Sequence, residues 1–149
     1  MARNRILVAE DDASILRLLT AILRRAGYEV DTATNGRDAI ERIERTPYDA
    51  IVLDLMMPGS SGFDVLAHLK FSDPQHKFVI IMSAASPHIV ANAVSANVFA
   101  ALHKPFEIDD LTAAVKACID AGALTVSASG RTRATVASER SGIAAVARR

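Results

Sequence analysis

The 149-residue sequence has one cysteine, no tryptophan and no net charge. Its single cysteine, Cys118, excludes an internal disulfide and is compatible with a reducing cytoplasm. No apolar run approaches the roughly 20 residues that a membrane-spanning helix requires, and the apolar run at the N-terminus is too short for a signal peptide. Zero net charge gives the whole chain no electrostatic case for binding nucleic acid. We therefore expect a cytoplasmic protein, with one domain in a chain of this length.

The charges are nevertheless distributed unevenly along the chain. Residues 1–120 carry a balance of −4, whereas residues 121–149 carry +4. The C-terminal segment is rich in Ala, Ser, Thr and Arg and shows no sustained amphipathic period, which is typical of an unstructured segment. We predict a domain over residues 1–121 and a flexible tail or truncated linker over 122–149. Such a segment is too short for a winged helix or a helix-turn-helix unit, so we do not expect direct DNA binding.

Short β-rich runs alternate with longer helical periods over the first 121 residues. The predicted strands span residues 5–9, 28–33, 50–53, 77–83 and 98–102, and the last of these is also compatible with a helix. The first predicted helix begins at Asp12 or Ser14 and ends at Ala26. The other predicted helices span residues 36–45, 62–70, 87–95 and 107–121. A β-α unit repeated five times indicates an α/β fold with a parallel sheet and helices on both faces.

Acidic side chains follow two of these strands. The first strand ends in Glu10-Asp11-Asp12, and the third ends in Asp54. Ligands of open α/β sheets bind beyond the carboxyl ends of the strands, so both strands deliver acids to one edge. Like charges at close range are costly. Mg²⁺, a hard divalent cation that binds carboxylate oxygens, would compensate them.

Ser83 and Lys104 follow the fourth and fifth strands. Together with the acids they form the set that phosphorylation of an aspartate requires, with Asp54 as the nucleophile. Mg²⁺ and Lys104 would neutralise charge on the transferring phosphoryl group. Each residue alone has a simpler interpretation, such as a turn residue, a helix cap or a solvated charge. The hypothesis depends on all of them lying at one edge of the sheet.

The sequence resembles a receiver domain of bacterial two-component response regulators over roughly residues 4–121. The resemblance lies in the segments "RILVAEDDASILRLL", "YDAIVLDLMMPGSSGFDVL", "FVIIMSA" and "LHKPF". It implies a flavodoxin-like, five-stranded sheet of order 2-1-3-4-5. It also implies a phosphoprotein of signal transduction, either a stand-alone receiver, a phosphorelay intermediate or a fragment of a longer regulator. No separate enzyme domain is expected, since a receiver catalyses its own Mg²⁺-dependent phosphoryl transfer and dephosphorylation.

The resemblance assigns a role to each residue of the set. Asp54 would accept the phosphoryl group from a histidine kinase or a histidine phosphotransfer protein. Asp11 would bind Mg²⁺ directly, and Glu10 directly or through water. The backbone carbonyl of Met56 would complete the metal site. Two further residues would hold the phosphate afterwards, namely Ser83 and Lys104, and the Lys104–Pro105 bond is commonly cis in this family.

One position departs from the family pattern. The family usually has Tyr or Phe three residues before the lysine, where this chain has Ala101. Phe99 lies two residues earlier and, by simple alternation, on the same face of the strand. Either Phe99 substitutes for the missing aromatic ring, or signalling runs through backbone shifts of residues 83–88.

Residues 87–121 are the candidate contact surface for a downstream protein or a second copy of the chain. The apolar run "IVANAVSANVFAAL" motivates this hypothesis, although its residues would serve equally well as core.

The main rival function is an interaction module on the same fold that does not need phosphorylation. An aspartyl hydrolase of the haloacid dehalogenase class would need a second Asp at the position of Met56. A nucleotide-binding protein would need a glycine-rich loop after the first strand.

Overall fold

The computed structural model describes residues 3–94 and 97–127. The strands are β1 (Arg5–Ala9), β2 (Glu29–Ala33), β3 (Ala50–Asp54), β4 (Val79–Ser83) and β5 (Val98–His103). The helices are α1 (Ala13–Arg25), α2 (Gly36–Arg45), α3 (Gly62–Ser72), α4 (Pro87–Ala93) and α5 (Ile108–Ser127). Each predicted strand and helix is therefore confirmed. Residues 98–102, whose composition is compatible with either a strand or a helix, form a strand, because their backbone pairs with β4.

The five strands form one parallel sheet of order β2-β1-β3-β4-β5, as predicted. The chain moves one way from β1 to β2 and the opposite way from β2 onward. Right-handed crossovers therefore place α1 on one face and α2, α3 and α4 on the other. Helix α5 contacts β3 and β5, and its residues Lys116 and Asp120 lie close enough to the Tyr28 hydroxyl to influence its pKa. Because all strand pairs are parallel, the five strands end at the same edge of the sheet.

The centre of the sheet is the most deeply buried part of the described chain. Every residue of β3 and of β4 is buried, as expected for parallel strands covered on both faces. Cys118 on α5 is buried as well, and burial raises the pKa of its thiol to about 12. This thiol is therefore protonated and acts as a small core residue. Because β3 and β4 are held rigidly, the residues that end them, Asp54 and Ser83, have fixed positions.

The last helix is longer than the sequence pattern predicts. It continues through Gly122 to Ser127, whereas the prediction ended it at Ala121. A glycine costs a helix interior only about 1 kcal/mol, and adding residues to an existing helix is much easier than starting one. The rest of the predicted tail, from residue 128 onward, lies outside the described residues. No helix in the described part of the chain is both long and apolar enough to cross a bilayer.

Two glycines allow loops at the carboxyl edge to approach closely. A Cβ on Gly62 would collide with the backbone of Asp54 and Leu55. A Cβ on Gly36, the first residue of α2, would lie 2.6 Å from the carbonyl oxygens of both Ser60 and Ser61. The Gly36 N–H donates to the Ser60 carbonyl oxygen at 2.7 Å. The loop after β2 is thereby fixed against the loop after β3.

Replacing Gly36 by alanine should destabilise the protein. The new methyl group must displace two backbone carbonyls, and overpacking of this kind costs about 1 to 3 kcal/mol, which exceeds the helix-propensity gain of alanine. Urea unfolding of Gly36→Ala measures the loss. The matched control is Gly122→Ala, whose new Cβ would meet nothing within 4 Å, and which should be neutral or stabilising. Equal unfolding midpoints for Gly36→Ala and the unmodified chain would contradict the contact.

Candidate functional site

The carboxylate of Asp54 lies at the carboxyl end of β3 and is almost completely buried. Only 3 % of the residue is exposed. Its Oδ1 atom accepts a hydrogen bond from the Met56 backbone N–H at 3.1 Å, which fixes the side chain against the following loop. A buried carboxylate requires compensation by hydrogen bonds or by an opposite charge. The sources of that charge are the neighbouring strand ends.

Lys104 supplies the opposite charge from the end of β5. Its Nζ atom lies 2.6 Å from Glu10 Oε1 and 3.2 Å from Asp54 Oδ2. The lysine side chain is 18 % exposed, whereas that of Glu10 is 1 % exposed. The backbone N–H of Lys104 donates to the carbonyl oxygen of Ser83 at 2.8 Å, so a hydrogen bond joins the turn after β5 to the end of β4. The Lys104–Pro105 peptide bond is cis. Residues after β1, β3 and β5 thus meet at one point.

Glu10 is the most deeply buried acid of this group. Its Oε2 atom accepts from the backbone N–H of Asp12 at 3.0 Å, while Oε1 faces Lys104. Burial raises the pKa of the Glu10 carboxyl above its ordinary value, and the hydrogen bonds from Lys104 and from the Asp12 backbone only partly oppose it. Ionised Glu10 is therefore incompletely compensated by its protein partners.

Lys104 is held in its charged form by the same contacts. Burial alone would lower the pKa of its ammonium group, but the hydrogen bond to Glu10 and the charge of Asp54 outweigh burial and the pKa is raised. One ammonium group faces two carboxylates. The cluster is consequently short of positive charge, which is the electrostatic condition that favours a bound cation.

Glu10, Asp11 and Asp54 form the candidate metal centre. Each offers a carboxylate oxygen, and these oxygens lie within 4.8 Å of one another. Asp11 is exposed, and its carboxylate makes no hydrogen bond or ion pair to the described residues. Oxygen ligands from one or two carboxylates, completed by water, suit Mg²⁺. The residues present therefore fit the ion that the sequence predicts. The Met56 backbone carbonyl as a further ligand stays a prediction.

The hydroxyl of Ser83 lies at the same edge but has a local partner. Ser83 is fully buried, and its Oγ atom accepts from the Ala85 N–H at 3.0 Å. It does not cap α4, because Ser86 performs that function. Asp12, by contrast, is the N-cap of α1 and accepts from two backbone N–H groups. The simpler interpretation as a helix cap thus holds for Asp12 but not for Ser83.

The geometry of β5 changes the interpretation of Phe99. Val98 pairs with Val79 and Ala100 pairs with Ile80, so Phe99 is an extra residue in a bulge. A bulge interrupts strict alternation, and the prediction that Phe99 shares a face with Ala101 cannot rest on alternation. Phe99 is half-buried and packs against the core, whereas Ala101 is buried.

A cavity of about 700 Å³ adjoins the acidic cluster. Asp11 lines it on one side, and the other walls are the loop after β2, the first turn of α2 and the loop Pro58–Ser60. The strand-end pattern alone did not include the loop after β2. The signal was available, because β2 is a neighbour of β1 in the predicted order and "TNG" follows it. Another cavity, of about 490 Å³, lies at the opposite edge between α2 and α3 and includes none of the predicted site residues.

Replacing Lys104 by methionine should destabilise the metal-free protein. The substitution leaves Glu10 and Asp54 buried without their cation, and breaking a buried ion pair by removing one partner costs about 3 kcal/mol. Urea unfolding in the presence of EDTA measures this effect. Lys116→Met is the matched control, because Lys116 pairs with Asp120 on the exposed face of α5. An unchanged midpoint for Lys104→Met would show that the ion pair contributes little.

Comparison with known proteins identifies the family. The family model described as the response regulator receiver domain matches residues 6–116. The transcriptional regulatory protein TcrA of Mycobacterium tuberculosis is 35% identical over 116 residues, which cover 76% of this chain and 45% of TcrA. The chemotaxis protein CheY of Thermotoga maritima is 32% identical over 105 residues, covering 70% of this chain and 88% of CheY.

The fold comparison agrees with the family match. The crystal structure of the response regulator TrrA from Thermotoga maritima, in complex with Mg²⁺-BeF, superposes with a TM-score of 0.69 at 34% identity. It covers 77% of this chain and 98% of TrrA. The chain spans about half the length of the transcriptional regulators that it matches. The predicted resemblance is confirmed, and the protein belongs to the response regulator receiver domain family.

Proposed function

We propose that this protein is a phosphoacceptor receiver in which Asp54 takes a phosphoryl group from a histidine kinase or a histidine phosphotransfer protein. The observation that carries the proposal is the approach of Lys104 Nζ to 3.2 Å from Asp54 Oδ2 inside a buried acidic cluster. A structural ion pair would need only one acid. Here the lysine faces two acids, with a third carboxylate beside them.

The reaction forms an acyl phosphate on Asp54. A carboxylate oxygen of Asp54 attacks phosphorus, and a P–O bond forms as the bond from phosphorus to the donor breaks. The electron pair of the broken bond leaves with the donor, which is the imidazole nitrogen of a phosphohistidine or the acyl oxygen of acetyl phosphate. Lys104 stabilises the negative charge on the phosphoryl oxygens during transfer. The backbone N–H of Met56 keeps the Asp54 side chain oriented throughout.

Glu10, Asp11, Asp54 and the backbone carbonyl of Met56 would hold Mg²⁺. When bound, the ion neutralises charge on the transferring phosphoryl group. The proximity of the three carboxylates supports this assignment, as does the Mg²⁺-BeF complex of the related TrrA. Both oxygens of Glu10 already have partners, so binding through water fits this residue as well as direct binding does.

Phosphorylation would be transmitted through the end of β4. The phosphoryl group adds roughly two negative charges and new acceptor oxygens, and Ser83 and Lys104 lie at the adjacent strand ends. The Ser83 hydroxyl, which now accepts from the Ala85 N–H, would donate to a phosphate oxygen, and its shift toward the phosphate would draw the loop before α4 with it. Local charge changes of this kind switch proteins that have two accessible states.

We propose residues 87–121 as the contact surface for a downstream protein or a second copy of this chain. Half of the described apolar residues in the run that motivated this hypothesis are buried, namely Ala93, Val98, Ala100, Ala101 and Leu102. Ile89 and Val94 are exposed at 40% each, and Ile108 at 41%. These three side chains narrow the proposed contact to the outer surface of α4 and the start of α5. A cytoplasmic location and the absence of direct DNA binding remain predictions.

The rival function is an interaction module that does not depend on phosphorylation. Ala101 favours the interaction module, because alanine lacks the aromatic ring that acts as a switch at this position in the family. The intact set of Glu10, Asp11, Asp54 and Lys104 favours phosphorylation, since an interaction module has no need to bury acids around one lysine. A phosphorylation assay separates the two functions.

Incubation with acetyl phosphate and Mg²⁺ should add the mass of one phosphoryl group, as measured by intact mass spectrometry. Asp54→Asn should abolish the adduct because the amide is not a nucleophile of comparable strength. Asp120→Asn is the matched control, since Asp120 is exposed on α5, and it should retain the adduct. Asp11→Asn should slow the reaction and weaken its dependence on Mg²⁺. No adduct from acetyl phosphate or from a phosphorylated kinase would favour the interaction module.

Phosphorylation should also change the amide chemical shifts of residues 84–94. The loop that follows Ser83 leads directly into α4, so a movement of the backbone at the end of β4 should reach Ile89 and Val94 first. Heteronuclear NMR before and after addition of acetyl phosphate and Mg²⁺ measures this response, and Asp54→Asn provides the unresponsive reference. Shifts confined to α1, α2 and α3 would contradict transmission through β4.

A further inference from the structure

The cavity beside the acidic cluster adjoins the proposed phosphorylation site through one residue. Asp11 belongs both to the carboxylate cluster and to the wall of this cavity. Glu10 and Asp54, the other two members of the cluster, are buried. A small phosphodonor in the cavity would therefore lie against Asp11, next to the cluster that contains Asp54.

The charges around this cavity are unfavourable for an anionic donor. Glu10, Asp11, Asp12 and Asp54 lie at or beside the cluster, and Lys104 already binds two of them. Asp11 and Arg37 are the charged residues among those that line the cavity. Arg37 is exposed, and its side chain makes no ion pair or hydrogen bond to another described residue. Its guanidinium group is thus the uncommitted positive charge at the entrance.

The backbone of Arg37 is positioned relative to the site by the residue that precedes it. Gly36 donates to the Ser60 carbonyl and has no room for a Cβ, which anchors the first turn of α2 to the loop after β3. The same loop continues to Gly62, which packs directly against the backbone of Asp54. The Cα atom of Arg37 therefore follows directly after the anchored residue Gly36, whereas the exposed side chain of Arg37 can reorient toward a ligand.

We propose that Arg37 determines the preference for the phosphodonor by attracting small dianionic acyl phosphates into the cavity. This inference rests on the proposed phosphorylation of Asp54. A guanidinium group binds phosphate oxygens well because its N–H donors match them in geometry. A positive charge at the entrance of a charged cleft increases the local concentration of an anionic substrate. Arg37 acts on capture of the donor and takes no part in the transfer itself.

The test compares the second-order rate constants for phosphorylation by acetyl phosphate in excess Mg²⁺. Arg37→Gln should lower the rate constant about threefold to tenfold at low ionic strength, at the lower end of the range for electrostatic steering. Arg37→Glu should lower it further, and Arg37→Lys should restore most of the rate. The matched control is Arg42→Gln, which makes the same charge change on the same helix but away from the cavity.

Two further readouts separate capture from a structural effect. The loss in Arg37→Gln should appear in the half-saturating concentration of acetyl phosphate and leave the maximal rate unchanged. It should also shrink in about 1 M salt, where the Debye length is about 3 Å. Melting temperatures equal to that of the unmodified chain confirm that the variants are folded, as expected for an exposed side chain.

Three results would overturn the role of Arg37. They are an unchanged rate constant in Arg37→Gln, an equal loss in Arg42→Gln, and a loss that does not depend on salt. If the unmodified chain is phosphorylated and any of these is observed, only this inference fails. If the unmodified chain accepts no phosphoryl group from acetyl phosphate or a phosphorylated kinase, the proposed function fails together with it.

Discussion

The contact of one lysine with two buried carboxylates holds the carboxyl edge of this sheet together. Lys104 follows β5, whereas Glu10 follows β1 and Asp54 ends β3, so the ion pairs join segments that are far apart in the sequence. In a parallel sheet every strand ends at the same edge, and the order β2-β1-β3-β4-β5 leaves only β4 between β3 and β5. The reach of a lysine side chain covers that distance. Without this charge the buried acids would repel one another.

The same arrangement supports the proposed phosphoryl transfer. A neutral, fully paired cluster would have no tendency to bind a cation or an anion. Burial leaves Glu10 with a raised pKa, and Asp11 remains exposed without a protein partner. The ion pairs with Lys104 allow the acids to be buried in the folded protein, but the negative charge of the cluster is incompletely compensated. Mg²⁺ and a phosphoryl group are ligands of opposite charge that such a centre can accommodate together.

Small residues at the loops matter as much as the charged ones. Gly36 and Gly62 let the loops after β2 and β3 approach to distances that any Cβ would prevent. These contacts set the walls of the cavity beside Asp11 and fix the start of α2. At β5 the bulge at Phe99 and the small side chain of Ala101 leave no aromatic residue in the position that the family usually provides. If the proposed phosphorylation takes place, its effect would therefore have to pass through the backbone around Ser83 or through Phe99 in a different setting.

Much of the fold and most of the site could be predicted from local patterns. Strand and helix periods, the acids after β1 and β3, and Lys104 after β5 are visible in the sequence, because alternation and strand-end residue types are properties of short segments. The resemblance to receivers then supplied the strand order. The length of α5 was underestimated, since Gly122 resembles a helix end but its cost is small once a long helix has formed.

Other features depend on how distant segments meet, and they arise only once the chain has folded. The choice of Glu10 as the closest partner of Lys104, the contact of Gly36 with Ser60, and the bulge at Phe99 follow from strand register and loop packing. None of these is encoded in a short segment, because each requires two segments to be placed to within about an ångström of each other. Local residue patterns specify which groups reach the carboxyl edge. Packing across the sheet decided which of them touch, since burial and pairing depend on the neighbours of every strand.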